Sequence, residues 1–190
     1  MILFLPIDLP GPPEFDISML DKKENWWWNV KQLTTSTENP YDIHEFLPEF
    51  KEANPEFVEW VKVFPYKNII NIKIHIQKDE VEPHLDFTQP NKNVSLYDNN
   101  LNADPCGYRC VLKKGTGMFY IVDNGNKIYP AMPTPVYAIN HTTGIHGTDK
   151  DDGREVLFFH FEIDMLKHKT IIERSKIKYE RYVIENRSVM

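Results

Sequence analysis

Within IINIKIHI (Ile69–Ile76) apolar and polar residues alternate from Ile70 onward. Ile70, Ile72, Ile74 and Ile76 fall on one side of an extended chain, and Asn71, Lys73 and His75 fall on the other. That period of two belongs to a β-strand with one strongly apolar side. The preceding NPEFVEWVKVF (Asn54–Phe64) has helical spacing instead. Asn54 can cap it, Pro55 suits its first turn and Glu56 its positive end, while Phe57, Val58, Val61 and Phe64 share an apolar stripe. Packing that stripe on the isoleucines turns Lys73 and His75 the opposite way, towards a cavity. Further short strands are predicted at Tyr108–Leu112, Met118–Val122, Lys127–Ala131, Pro135–Ile139 and Glu155–Ile163, with DNGN (Asp123–Asn126) as a turn. Many short strands after a helical region predict a mainly β protein, an antiparallel sandwich or barrel with a few flanking helices.

The 190 residues fit one domain (1–190). They divide into an irregular N-terminal region (1–50), a β core at about 66–163 and a C-terminal extension (164–190). The chain is 41% hydrophobic and 26% charged, ordinary for a soluble globular protein. A net charge of −6 with interspersed signs argues against nucleic acid as the main partner. The opening MILFLPIDLPGPPEFD is too short in its apolar run for a signal peptide, and no stretch is apolar enough to span a membrane. Cys106 and Cys110 imply no disulfide framework, and no second Cys/His pair with zinc-ribbon spacing follows them; two packed thiols are expected. The sequons at Asn93, Asn140 and Asn186 are read as chance, and a cytoplasmic protein without a membrane partner is expected. NWWWN (Asn25–Asn29) is read as a strand with Trp26 and Trp28 buried and Trp27 half exposed, or as an aromatic wall beside a substrate cleft. The charged tail IIERSKIKYERYVIENRSVM is expected to end in a strand or an irregular extension.

PHLDF (residues 83–87) places His84 and Asp86 two apart, so that in a strand they project side by side with Leu85 and Phe87 turned away. That is half a metal site, or simply a histidine hydrogen-bonded to a carboxylate on a surface strand. Candidates for a further ligand are His141, His146 and His160, with His75 and His44 further off. His146 lies in INHTTGIHGTDKDDGREVLFFHFEI, where a strand ends near Ile139, a Thr/Gly-rich turn follows, and a loop after His146 delivers Arg154 to the next strand. Two histidines and a carboxylate can occupy one face of an octahedron about Fe(II), leaving room for a bidentate cosubstrate and dioxygen. A cosubstrate with a remote carboxylate then needs a fixed cation, and arginine offers a rigid fork.

At these residues, and over Tyr66–Ile163, the sequence resembles the Fe(II)- and 2-oxoglutarate-dependent oxygenases. The resemblance implies a double-stranded β-helix (jelly-roll) core, with His84, Asp86 and His146 as metal ligands and Arg154 as the cosubstrate arginine. The eight-residue step from His146 to Arg154 and the adjacent Gly147 match the family pattern better than His141 does. The stretch from Tyr108 to Gly147 is similar to the aspartyl/asparaginyl β-hydroxylase-like and prolyl-hydroxylase-like branches. Arg109 matches an arginine of that pattern and is implied to help bind 2-oxoglutarate, whereas Val111 stands where the pattern has histidine. His160 is read as a core or cavity histidine, His75 as a residue within reach of the site, and the competing role for Arg154 is a salt bridge to Asp151 or Asp152. The implied activity is hydroxylation of a C–H bond using Fe(II), 2-oxoglutarate and O2, with release of succinate and CO2 and ascorbate as an expected stimulant. The implied substrate is a small molecule, peptide or protein offering an amino-acid side chain, with Asp, Asn or Pro the usual targets. The alternatives are a jelly-roll binding or structural protein without a cofactor, and a cupin-type metalloenzyme that does not use 2-oxoglutarate.

Overall fold

In chain order the elements are strands β1 (Ile2–Pro6), β2 (Lys22–Glu24) and β3 (Trp28–Gln32), then helices α1 (Pro48–Ala53) and α2 (Pro55–Val61). Strands β4 (Tyr66–Gln77), β5 (Val81–His84), β6 (Gly107–Lys113), β7 (Phe119–Asp123) and β8 (Asn126–Ile128) follow. Strands β9 (Val136–Ile139), β10 (His146–Thr148) and β11 (Glu155–Ile163) complete the core. Helix α3 (Met165–Lys178), a 3₁₀ turn at Glu180–Tyr182 and strand β12 (Ile184–Glu185) close the chain. This computed structural model describes residues 1–24, 27–37, 42–86, 104–141, 144–151 and 153–186. Trp26, Phe87, Asn93 and Asp152 lie outside the described residues.

Among the described residues the strands form two sheets, one ordered β12-β1-β9-β6-β11-β4-β3-β2 and the other β5-β10-β7-β8. From β4 onward the chain places β4, β6, β9 and β11 in the larger sheet and β5, β7, β8 and β10 in the smaller, with antiparallel neighbours in both. Eight strands shared four and four in this way make the double-stranded β-helix, or jelly roll. The expected mainly β fold with a few flanking helices is what the chain adopts. Strands β1, β2, β3 and β12 lengthen the larger sheet at its two ends, so the first fifty residues are less irregular than their prolines imply.

Two apolar layers result. On one face of the larger sheet, Ile72 and Ile74 of β4 and Leu157, Phe159 and Phe161 of β11 pack with Phe57, Trp60, Val61 and Phe64. Phe64 lies 4.4 Å from Phe159, ring centre to ring centre. Between the sheets a smaller cluster joins Phe4, Val111 and Tyr137 to Phe119 and Ile121. The expected split of β4 therefore holds from Ile72 onward, with Ile72 and Ile74 buried in the helix-facing core and Lys73 and His75 on the opposite face. Ile69 and not Ile70 packs against that core, beyond a register shift in the pairing with β11. The turn between β7 and β8 falls at DNGN as expected. Asn124 (φ 50°) and Gly125 (φ 78°) are both left-handed, which a two-residue hairpin turn requires. Cys106 and Cys110 are free thiols, pushed up to about 11 and about 12 by burial, as packed thiols should be.

Two local expectations differ, and the tail ends in strand β12 as expected but reaches it through a helix. The predicted helix Asn54–Phe64 ends its regular part at Val61, and Asn54 does not cap it with its side chain. That amide instead clasps the backbone of Asp16: its Oδ1 accepts from Asp16 N at 2.7 Å and its Nδ2 donates to Asp16 O at 2.9 Å. The expected strand over residues 83–87 stops at His84. The tail begins as helix α3, whose Ile171, Ile172 and Ser175 are buried at helical spacing. Asp164 caps this helix, accepting from Leu166 N at 3.1 Å and Lys167 N at 3.2 Å. Asp164→Ala is expected to cost about 1 kcal/mol of stability by loss of that cap, read as a lower urea midpoint at unchanged slope. Among the described residues no helix is long and apolar enough to cross a membrane.

Candidate metal centre

Between the two sheets lies a cavity of about 330 Å³, within the range of small-molecule sites. At one end of it β5 and β10 run antiparallel with His84 directly opposite His146. That register places the two rings 4.6 Å apart. Asp86 lies two residues beyond the end of β5, where its backbone N donates to His141 O at 2.9 Å. Its carboxylate stands 3.6 Å from His84 Nε2 and 3.8 Å from His146 Nε2. One ligand atom from each of His84, Asp86 and His146 lies within 4.8 Å of the others. Asp86 thus reaches the histidines although it leaves the strand, and Leu85 points away, 39% exposed.

Backbone carbonyls hold both imidazoles. His84 Nδ1 donates to Glu82 O at 2.7 Å, and His146 Nδ1 donates to Gly144 O at 2.9 Å. A carbonyl can only accept, so each Nδ1 carries the proton and each Nε2 offers its lone pair on the Asp86 side. Outer partners of this kind fix ring orientation in metal sites. Gly147, next to His146, sits against the Tyr120 hydroxyl and the Val81 carbonyl, both 2.5 Å from where a Cβ would stand, so a side chain there would push β10 off its neighbours.

Burial works against the charge of Asp86, but the neighbouring His84, Arg109 and His146 overcome it and hold the carboxyl well below the usual range. Asp86 in turn raises the pKa of His84, whereas burial lowers that of His146 and pushes His141 down to about 4. The donor set is therefore one imidazole that burial favours as neutral, His146, a second whose charged form the adjacent Asp86 favours, His84, and one firmly ionised carboxylate. Arg109, on β6 and 3% exposed, reaches Asp86 Oδ2 with Nη2 at 3.4 Å and donates from Nη1 to Tyr108 O at 2.9 Å. The structure places this arginine on the carboxylate of the candidate metal site.

Arg154 lies just before β11 and is 6% exposed. Its backbone is fixed to β4, with Arg154 O accepting from Gln77 N at 2.9 Å. Its Nη2 is buried without a hydrogen-bond partner among the described residues, and so is Thr148 Oγ1; both side chains line the cavity. Asp151 spends one oxygen on Gly117 N, at 2.9 Å, and forms no ion pair with Arg154. A buried guanidinium and hydroxyl lacking partners in one cavity fit a carboxylate ligand, because leaving such groups unpaired is costly.

The other sequence candidates separate. His141 and His160 line the cavity outside the three-residue group, and burial pushes the pKa of His160 well below its ordinary value. His44 is elsewhere, beside Thr35 Oγ1 at 3.1 Å. Trp28 lines the cavity, while Trp27 is 46% exposed. Sequence reasoning passed over Thr148 and Phe158 as cavity residues. Thr148 follows His146 by two, which puts both on one face of β10, and Phe158 lies on the face of β11 opposite Leu157 and Phe159.

No family model matches the sequence, and no curated protein matches it. Among solved structures the fold is similar to that of an oxidoreductase of the 2OG-Fe(II) oxygenase family from Burkholderia pseudomallei. The two are 14% identical, the match covers 78% of this chain and 75% of that one, and the TM-score is 0.46.

Proposed function

We propose that the protein is an Fe(II)- and 2-oxoglutarate-dependent oxygenase that hydroxylates a C–H bond of an amino-acid side chain, releasing succinate and CO2. The observation that carries this is the presence in one cavity of the His84–Asp86–His146 group and of a buried arginine nitrogen without a partner among the described residues. A site with two imidazoles and one carboxylate suits Fe(II) with open positions. His84, Asp86 and His146 hold the iron, and Arg154 with Thr148 receives the distal carboxylate of 2-oxoglutarate by a charge-assisted, forked contact. The bound metal and keto acid supply the activation of dioxygen, which no side chain of this protein could provide.

The chain's own residues do the rest. The Glu82 and Gly144 carbonyls fix the two histidine tautomers. Arg109 keeps Asp86 ionised and oriented. Phe119, Ile139 and Val156 make the cavity wall apolar and exclude water. No separate acid or base is required. In Fe(II), oxygen and ascorbate, the wild type is expected to convert 2-oxoglutarate slowly to succinate even without substrate. Bound iron with no succinate, across a panel of peptides and amino acids, would instead favour a cupin-type enzyme that makes no use of Arg154.

A further inference from the structure

The larger-sheet wall of the cavity carries a row of stacked planar groups. Trp28 of β3 lies 4.5 Å from His75 of β4 with 20° between the rings. His75 lies 3.9 Å from Phe158 of β11 at 26°, and the Arg109 guanidinium of β6 lies 4.0 Å over the same Phe158. Four strands thus contribute one continuous stack. Lys73 stands beside it, in register with Phe158 on the cavity face of β4.

Lys73 and His75 are left unanswered there. Lys73 is half-buried and makes no hydrogen bond or ion pair with any described residue. His75 is 7% exposed, and neither of its ring nitrogens has a partner among the described residues. The stack fixes the His75 ring, so its nitrogens cannot turn away to find water. Among the described residues three formal cations, Lys73, Arg109 and Arg154, line the cavity together with one carboxylate, that of Asp86. Arg109 is answered by Asp86. With a divalent metal and the dianion 2-oxoglutarate bound, their charges offset each other, so the three cations still outnumber the one carboxylate, and of Arg154 and Lys73 only Arg154 meets the cosubstrate. Lys73 then remains a desolvated charge without a counter-charge, which proteins place where a ligand supplies one.

We propose that Lys73 and His75 form the substrate's anion subsite, and that the substrate carries a carboxylate seated on the Lys73 amine with a hydrogen bond from His75. What happens to that substrate rests on the oxygenase function; the subsite itself rests on these two residues. Burial, and next the charge of Arg109, lower the Lys73 pKa, and a bound carboxylate would reverse that direction. Burial first, and then Lys73, keep His75 neutral, so it retains one N–H to donate.

The probes are capped aspartate and asparagine, and capped glutamate and glutamine, which differ only as carboxylate against carboxamide. Free aspartate and glutamate run beside them to separate an amino-acid substrate from a peptide side chain. Each is titrated anaerobically into Mn(II)-loaded protein with and without 2-oxoglutarate, reading tryptophan fluorescence, with Trp28→Phe assigning the signal. In the wild type the carboxylate of a pair is expected to bind about tenfold or more tightly than its carboxamide. Lys73→Met should erase that preference, Lys73→Arg should keep it, and 2-oxoglutarate affinity should be unchanged in both. Lys73→Gln is read in the same way should Lys73→Met not fold. A wild type without the preference, or a preference that survives Lys73→Met, overturns the subsite. Loss of 2-oxoglutarate binding in Lys73→Met overturns it too, by assigning Lys73 to the cosubstrate. Failure of the wild type to bind 2-oxoglutarate at all defeats the oxygenase function instead, while the titrations without it still decide the role of Lys73.

Discussion

His84→Ala and His146→Ala are each expected to lose Fe(II) affinity by more than about 100-fold, since even an outer partner of a metal ligand is worth roughly 10–100-fold. Each removes an Nε2 whose lone pair the backbone has already aimed at the Asp86 side. His141→Ala is expected to keep its iron. His141 lines the cavity and its carbonyl anchors the Asp86 backbone, an interaction the substitution preserves. The measurement is iron content and Fe(II) affinity of the three purified variants beside the wild type. Loss of iron in His141→Ala with retention in His146→Ala would move the distal ligand to His141.

Arg154→Ala is expected to keep the fold and the iron while binding 2-oxoglutarate far more weakly. Its Nη2 is buried without a partner among the described residues, so the cosubstrate carboxylate would be its counter-charge. Removing one side of a buried charged pair costs ~2–5 kcal/mol. At about 1.4 kcal/mol per tenfold this is roughly a 30- to several-thousand-fold loss of affinity. Arg154→Lys should fall between the wild type and Arg154→Ala, because an ammonium keeps the charge and loses the fork. Arg109→Ala should weaken 2-oxoglutarate less than Arg154→Ala, since its guanidinium is engaged with Asp86 and Phe158. Affinities measured at saturating Fe(II) separate the three. An unchanged affinity in folded Arg154→Ala would remove Arg154 from the site.

Local pattern carried much of this fold. The alternation of β4 marked both the helix-facing core and the cavity face, because its isoleucines fall on one side and Lys73 and His75 on the other. The grouping of His84, Asp86 and His146, with Arg154 in the same cavity, could be anticipated because these residues cluster in two short segments with fixed steps. What escaped depends on contacts distant in sequence. Nothing local in Ile2–Pro6 says that it lies between β9 and β12. Asn54 looked like a cap, but Asp16, distant in sequence, offered its amide a better pair of partners. The contact of Arg109 with Asp86 depends on where Asp86 falls after β5 ends. The stack of Trp28, His75 and Phe158 is written in the registers of three strands, and no single strand reveals it. Helix α3 was hidden by its charges, although Asp164 and the spacing of Ile171, Ile172 and Ser175 carried its signal.

The most direct test of the proposed chemistry needs no substrate. Fe(II) is added anaerobically to the wild type, followed by 2-oxoglutarate, and the visible spectrum is recorded after each addition. A weak charge-transfer band that requires both components, saturates with 2-oxoglutarate and is missing from His146→Ala is the expected result. Iron that binds at His84, Asp86 and His146 with no band at any concentration of 2-oxoglutarate would contradict it.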